Sequence, residues 1–172
     1  MMTVLGAICL LSLVSLSINT MIIGKTTTML EAEAQLNAIS IAQSMIDEVM
    51  IKAYDAGTVS AKVYNASGFT AADGLGCSGS EASIVTQPDT YPYKSPQGYN
   101  DVDDYHRYRR TVFTPRMGNF DVIDTIHYVV ETNPDTKTTT QTFFKKVVVT
   151  VRHPNMNSPL QMSNVAVYRR YF

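Results

Sequence analysis

The N-terminal third of the chain shows two successive hydrophobic patterns. Met1 to Ile23 is an almost unbroken apolar run, and Lys25 is the first charged residue. From there to about Asp55 the apolar residues recur at spacings of three and four, which is typical of an amphipathic helix. Together the two patterns predict one helix ending near Asp55–Gly57, about 80 Å long at 1.5 Å per residue. The residues predicted to face the rest of the protein are Ala38, Ile41, Met45 and Val49.

One point in this helix is weak. Gly24 is followed by Thr26, Thr27 and Thr28, and glycine and β-branched residues all have a lower helix propensity than alanine. We expect the helix to continue through this point in a free chain and to lose helix locally in an assembly.

After Gly57 the pattern changes to the alternation of polar and apolar residues that is typical of β-strands. In residues 142–153, for example, Val147, Val149 and Val151 fall on one side of a strand, with Lys146 and Thr150 on the other. Short turns connect the later strands, which favours antiparallel neighbours. The predicted strands cover residues 58–64, 105–114, 121–132, 142–153 and 160–172, with turns at 132–139 and 154–159 and long irregular loops at 65–83 and 87–105.

An antiparallel sheet with one apolar face needs a cover, and the amphipathic part of the helix provides one. The sequence therefore predicts an α+β fold in which a long N-terminal helix packs on a C-terminal antiparallel sheet. Its three parts are an apolar helix half at 1–24, an amphipathic helix half at 25–56 and a β-rich globular head at 57–172.

The apolar run has three interpretations. A cleavable signal peptide is disfavoured, because no basic residue precedes the run and no A-x-A-like site precedes Gly24. A membrane anchor fits, because about 20 apolar residues cross a bilayer. A helix buried by other copies of the same chain also fits, since small residues such as Gly6 and Ser12 allow helices to approach closely. The run by itself does not decide between the last two.

Composition adds little to this picture. The net charge of −1 does not point to a strongly charged partner. Cys9 and Cys77 are too few for a disulfide framework, and Cys9 lies within the apolar run, so we expect two free thiols.

The segments AISIAQSMIDEVMIKAYD, FFKKVVVTVRHP and VAVYRRYF, in this arrangement of helix and sheet, resemble type IV pilins and pseudopilins. The resemblance implies a structural subunit of an extracellular filament, inserted in the membrane before it polymerises through the apolar helix half. Its partners would be many copies of itself, the inner membrane and a pilus assembly machinery. The residues expected in the filament core are Leu5, Leu10, Leu11, Val14, Ile18 and Ile22.

The chain departs from the pilin pattern in two ways. Type IV pilins usually carry a glutamate near the mature N-terminus, whereas the corresponding region of this chain, MMTVL, contains no acidic residue. Pilins are also typically made with a short basic leader that ends in glycine, and none precedes Met1. We therefore expect either that the sequence is already processed or that the chain belongs to a diverged branch of pilins that is processed differently. Both departures weaken the expectation of the usual contact between subunits.

Asp101, Asp103 and Asp104 lie close together in one predicted loop. Loop carboxylates can bind calcium, but the spacing is not that of an EF-hand. We therefore expect a solvated acidic loop and no cofactor, with calcium as the ion to test. Asn65 begins an Asn-Ala-Ser glycosylation pattern, which is common by chance.

The remaining side chains do not predict an enzyme. The three histidines lie on separate segments without metal-ligand spacing, and no nucleophile–base pair or phosphate loop is recognisable. Basic and aromatic residues alternate at 105–113 and 167–172, a composition found in single-strand binders. We favour the interpretation that these residues occupy exposed strand positions, where charged side chains discourage pairing between sheet edges. Nucleic acid is therefore not an expected partner. The alternatives to a pilus subunit are a membrane-anchored binding protein that does not polymerise and a secretion pseudopilin.

Overall fold

A single helix dominates the N-terminal part of the molecule. The computed structural model describes residues 2–169, and its first helix, α1, runs without interruption over Met2–Met50. The hydroxyls of Thr26, Thr27 and Thr28 each donate to a carbonyl one turn earlier, at 2.9 Å. The helix therefore continues through the weak point after Gly24, as expected for the free chain.

The helix ends earlier than predicted, at Met50 instead of near Asp55. The cause is a set of tertiary hydrogen bonds to the loop at residues 96–102. The amide of Ala53 donates to the carbonyl of Asn100 at 3.1 Å, and the amide of Val102 donates to the carbonyl of Ala53 at 2.9 Å. Because these bonds occupy the backbone of Ala53, the chain leaves the helix there.

Five antiparallel strands follow. Four of them form a sheet in the order β1-β2-β4-β5, and the short β3 pairs with the end of β2. This is the predicted α+β fold, with a long N-terminal helix and an antiparallel sheet. The strands are β1, Arg109–Thr114; β2, Gly118–Val130; β3, Asn133–Lys137; β4, Phe144–Arg152; and β5, Leu160–Val167.

Three strand predictions need correction. Residues 58–64 do not form a strand: Val59 and Tyr64 are at least half exposed, and Val63 alone among the segment's larger apolar residues packs partly against the core. Residues 133–137, predicted as a turn, form the exposed strand β3. The last strand ends at Val167 instead of continuing to the terminus, and residues 170–172 lie outside the described part.

The core lies between one face of α1 and the sheet. Ala34, Ala38 and Ala42 are completely buried, and these small side chains let the helix axis lie close to the strands. The strand register places Ile126 opposite Val147 and Val122 opposite Val151. The helix residues Met45 and Val49 are buried in the same cluster, and Ile41 is partly buried against it.

The tips of two hairpins mark where the helix enters the head. Arg116, in the β1–β2 turn, forms an ion pair with Glu33 at 2.9 Å. Asn157, in the β4–β5 turn, donates to Glu31 at 2.7 Å. Glu31 is also the first helix residue whose side chain is partly buried among those described. The part of α1 before it projects beyond the head.

Candidate assembly surface and the buried charges of the head

The projecting part of α1 is largely apolar, and its described side chains are not covered by other described residues. The predicted filament-core residues Leu10, Leu11, Val14, Ile18 and Ile22 are 54–76% exposed. The side chain of Leu5 lies outside the described residues. Monomeric soluble proteins rarely expose an apolar surface of this extent, and such surfaces usually contact a membrane or another protein.

Two glycines in this region are not explained by contacts within the chain. At Gly6 and at Gly24 an added Cβ would meet no heavy atom within 4 Å. Nothing in the described part of the chain therefore requires a small residue at either position. Close approach of a neighbouring helix is the usual reason for small residues on an apolar helix.

The helix is also long and apolar enough to cross a membrane. The most apolar window of α1 contains no buried residue and lies near the N-terminus. A membrane anchor and a signal sequence both meet this criterion of length and composition.

Exposed apolar side chains continue along α1 beyond the length that a bilayer covers. Met29, Leu36 and Ile39 are all exposed, with Leu36 at 68%. At 100° per residue, Met29 and Leu36 lie on the outer face of the helix, opposite Ala34 and Ala38, which are buried in the core, and Ile39 lies on the flank. The helix therefore has apolar residues on both faces at the level of the head, and only the inner face is covered.

The acidic loop differs from the prediction. Asp101, Asp103 and Asp104 are buried, so the expectation of a solvated loop is wrong. Asp101 accepts the amide hydrogen of Asp103 at 2.7 Å, and Asp104 accepts that of Asn100 at 3.0 Å. Burial, with the nearby Asp104 carboxylate, raises the pKa of Asp101 to about 6. These oxygens serve the loop's own backbone and are not arranged as a calcium cage.

Only one of these acids joins a group of metal-ligating side chains in the described residues. Atoms of Asp104, Cys77 and Glu81 lie within 4.8 Å of one another. Calcium takes six to eight oxygen ligands, so three side chains that include a thiol do not fit it. Burial and the nearby Asp104 raise the pKa of the Cys77 thiol to about 11, which keeps the thiol protonated.

The third acid, Asp103, belongs to a buried charge cluster that sequence reasoning missed. The ammonium of Lys145, a completely buried residue, lies 2.6 Å from Asp103 Oδ1 and 2.7 Å from Asp55 Oδ2. It also donates to the carbonyl of Tyr54 at 3.0 Å. Lys145 has the same parity as Val147 on β4, so the strand alternation already placed it on the core face.

The two carboxylates of this cluster behave differently. Asp55 accepts hydrogen bonds from the amides of Gly57 and Thr70, and with Lys145 these outweigh burial and lower its pKa. Burial raises the pKa of Asp103 to about 8 despite Lys145, and Asp55 and Asp101 add to the rise. The single Lys145 ammonium can neutralise only one of the two carboxylates. Asp55 is the one whose charge is also stabilised by hydrogen bonds from backbone amides.

A second buried charge pair connects α1 to β1. Arg110, expected at an exposed strand position, is instead 6% exposed and pairs with Glu48 at 2.7 Å. Its guanidinium also lies 4.2 Å from the ring centre of Tyr93. Near this pair, both carboxylate oxygens of Asp124 are buried and have no hydrogen-bond partner. Burial raises the pKa of Asp124 well above its ordinary value.

The other candidate residues have separate places in the fold. Asn65 is exposed at the start of a short turn, and its side chain makes no capping hydrogen bond. His106 accepts the amide hydrogen of Ile126 at 3.1 Å, and His153 stacks on Phe120 at 4.3 Å between ring centres. These two histidines hold backbone and core contacts.

Comparison with known proteins does not place the chain in a family. No protein-family model, curated protein or solved structure matches it. The arrangement of a long N-terminal helix on an antiparallel sheet is compatible with a pilin-like architecture.

Proposed function

We propose that this chain is a structural subunit of an extracellular pilus-like filament. The apolar half of α1 would sit in the membrane before assembly and would pack against the same segment of other copies afterwards. Repetition of one contact by rotation and translation, without closure, produces a filament. The heads would coat its outside.

The observation that carries the proposal is the exposed outer face of α1 beside the head. A simple anchor accounts for the apolar side chains up to Ile23, since 22 helical residues span about 33 Å and the hydrocarbon layer is about 30 Å thick. It does not account for Leu36 and Ile39, which lie at the level of the head and would then be in water. Neighbouring helices in a filament would cover both stretches with one continuous contact.

The energy available from such a contact is large. Burial of apolar surface stabilises by about 25 cal/mol per Å², and a fully exposed leucine or isoleucine contributes about 1.5–3 kcal/mol when buried. Leu10, Leu11, Val14, Ile18 and Ile22 are all available. Five such residues per subunit are enough to hold a polymer together without covalent links between copies.

The runner-up is a membrane-anchored binding protein that stays monomeric, which the length and composition of the helix also support. A pseudopilin that forms only a short polymer is a variant of the main proposal. Negative-stain imaging of material sheared from the cell surface separates these functions. Long fibres that contain this chain support the pilus subunit. Recovery of the chain only as single particles in detergent extracts of membranes would contradict polymerisation.

A further inference from the structure

Three side chains in the centre of the head are arranged for a reaction with one another. The Lys145 amine, the Asp103 carboxyl and the Asp55 carboxyl meet with Nζ–O distances of 2.6 and 2.7 Å. All three side chains are at least 96% buried. At this separation the carbonyl carbon of Asp103, one bond from Oδ1, lies directly beside a primary amine. Reacting groups held this close do not need to find each other by diffusion.

The surroundings exclude water and are rich in aromatic rings. The Lys145 ammonium lies 4.4 Å from the ring centre of Tyr54, 5.0 Å from that of Tyr128 and 5.9 Å from that of Phe69. In such an environment an additional unpaired charge is costly, so beside the Lys145–Asp55 pair the Asp103 carboxyl is favoured in its neutral form.

The carboxyl groups of Asp55 and Asp103 are suited to different roles in such a reaction. Asp55 accepts hydrogen bonds from Gly57, Thr70 and Lys145, which hold it as a carboxylate. Asp103 contacts Lys145 through Oδ1, while its Oδ2 is buried and has no hydrogen-bond partner. An ionised carboxylate resists attack by an amine, whereas a protonated carboxyl can lose its hydroxyl as water. Asp55 is therefore suited to be the base and Asp103 the group attacked.

We propose that Lys145 and Asp103 join in an intramolecular amide bond, with Asp55 as the proton acceptor. Asp55 takes a proton from the Lys145 ammonium, and the freed amine attacks Cγ of the protonated Asp103 carboxyl. Asp55 then returns a proton to the departing hydroxyl and takes the second proton of the nitrogen. One C–N bond forms, one C–O bond breaks, and one water is released. The remaining proton stays on Asp55 until it exchanges with solvent, and no oxidant or cofactor is needed.

The neighbouring residue supplies an internal control. Lys146 lies 2.6 Å from Asp135, the same separation as Lys145 from Asp103, but these side chains are 19% and 86% exposed. Lys146 lowers the pKa of the solvent-exposed Asp135 carboxyl, which favours the unreactive carboxylate, and no third group accepts a proton from Lys146 in the described contacts. The mechanism therefore predicts an amide at Lys145 and none at Lys146.

The test is mass spectrometry on the full-length chain, purified in a neutral detergent and denatured before measurement. We expect an intact mass lower by one water than the mass of the unlinked chain. Trypsin would then release a branched peptide joining residues 95–107 to residues 138–146, because an acylated Lys145 is not cleaved. Fragmentation assigns the branch to Asp103 or to its neighbours Asp101 and Asp104.

Two variants test the roles. In Lys145→Arg the charge is kept but the nucleophile is lost. In Asp55→Asn the base is lost, and the one amide oxygen can keep only the hydrogen bonds of one of the two carboxylate oxygens. We expect both variants to show the unlinked mass and linear peptides, with circular dichroism reporting whether each head is folded. Lys146 is expected to stay unmodified in every sample, so trypsin should cleave the peptide bond that follows it.

The wild-type result decides the proposal even if a variant does not fold. A wild-type chain of full mass, with linear peptides 95–107 and 138–145, would show a plain ion pair and overturn the amide. A branch at Asp55, Asp101, Asp104 or Lys146 would overturn the assignment of partners. Folded Asp55→Asn protein that still carries the amide would overturn the role of Asp55. The proposal concerns a bond inside one head and does not depend on the filament.

Discussion

The exposed outer face of α1 offers a direct test of polymerisation that leaves membrane insertion untouched. Leu36 lies on this face at the level of the head and beyond the apolar run that would occupy a bilayer. In a monomeric anchor, Leu36→Glu replaces an apolar side chain in water with a charged one, which has little effect on stability. In a filament the same change places a carboxylate between helices.

The expected loss follows from the exposure of this side chain. Leu36 is 68% exposed in the single chain, so its burial in an assembly contributes about two-thirds of the 1.5–3 kcal/mol of a whole leucine, or about 1–2 kcal/mol. A buried carboxylate without a partner costs several kcal/mol more, or takes up a proton at a similar cost. A total of about 3 kcal/mol or more per subunit corresponds to at least a hundredfold weaker association.

The assay compares fibres with membrane-held subunits. Sheared surface material and detergent-extracted membranes are quantified for wild type, Leu36→Glu and the matched control Tyr91→Glu, which introduces the same charge at an exposed residue of the head. We expect fibres to disappear only in Leu36→Glu, while its membrane fraction and head stability stay normal. Wild-type fibre yield from Leu36→Glu would refute the continuous helix contact, and equal loss in Tyr91→Glu would show that the effect is not specific to the helix.

Three further predictions concern other parts of the chain. Leu11→Glu places an unpaired charge in the centre of the apolar half and is expected to abolish fibres while the head stays folded, as imaging and limited proteolysis would show; normal fibres would count against a bundled apolar core. Glu48→Ala leaves the buried Arg110 without its partner and is expected to lower the free energy of unfolding by about 3–5 kcal/mol in denaturant titration. Glu33→Ala, whose partner is mostly exposed, should cost at most about 1 kcal/mol, and equal losses would contradict the argument. Burial raises the pKa of Asp124 above its ordinary 3.8, so the folded chain keeps a proton that the unfolded chain releases. Stability should therefore fall as pH rises above that value, by up to about 1.4 kcal/mol per pH unit. Asp124→Asn should make this fall shallower in melting curves taken between pH 5 and 8, while the part due to the raised pKa values of Asp101 and Asp103 remains. An unchanged slope would show that Asp124 is ionised in the fold.

The head shows how far a strand pattern predicts the placement of charges. The alternation of β4 separates Lys145, on the face of the valines, from Lys146 on the opposite face. Alternation indicates which face a side chain takes, because successive residues of a strand point to opposite sides. It does not indicate what lies over that face. The sequence predicts a solvated loop because no local pattern shows that Asp103 meets Lys145, 42 residues away.

The sequence by itself determined the elements whose pattern repeats locally. The long helix, its apolar first half and the alternating strands of the head follow from periods of 3.6 and 2, which depend only on neighbouring residues. The fold class could be predicted for the same reason, since these faces must cover one another.

The tertiary structure decided where the helix stops and which charges are buried. The bonds of Ala53 to the loop end the helix at Met50, and Lys145 meets Asp55 and Asp103 across 90 and 42 residues of chain. Such contacts depend on how distant segments pack together. Burial then raises the pKa of Asp103, because a charge removed from water is stable only beside a partner.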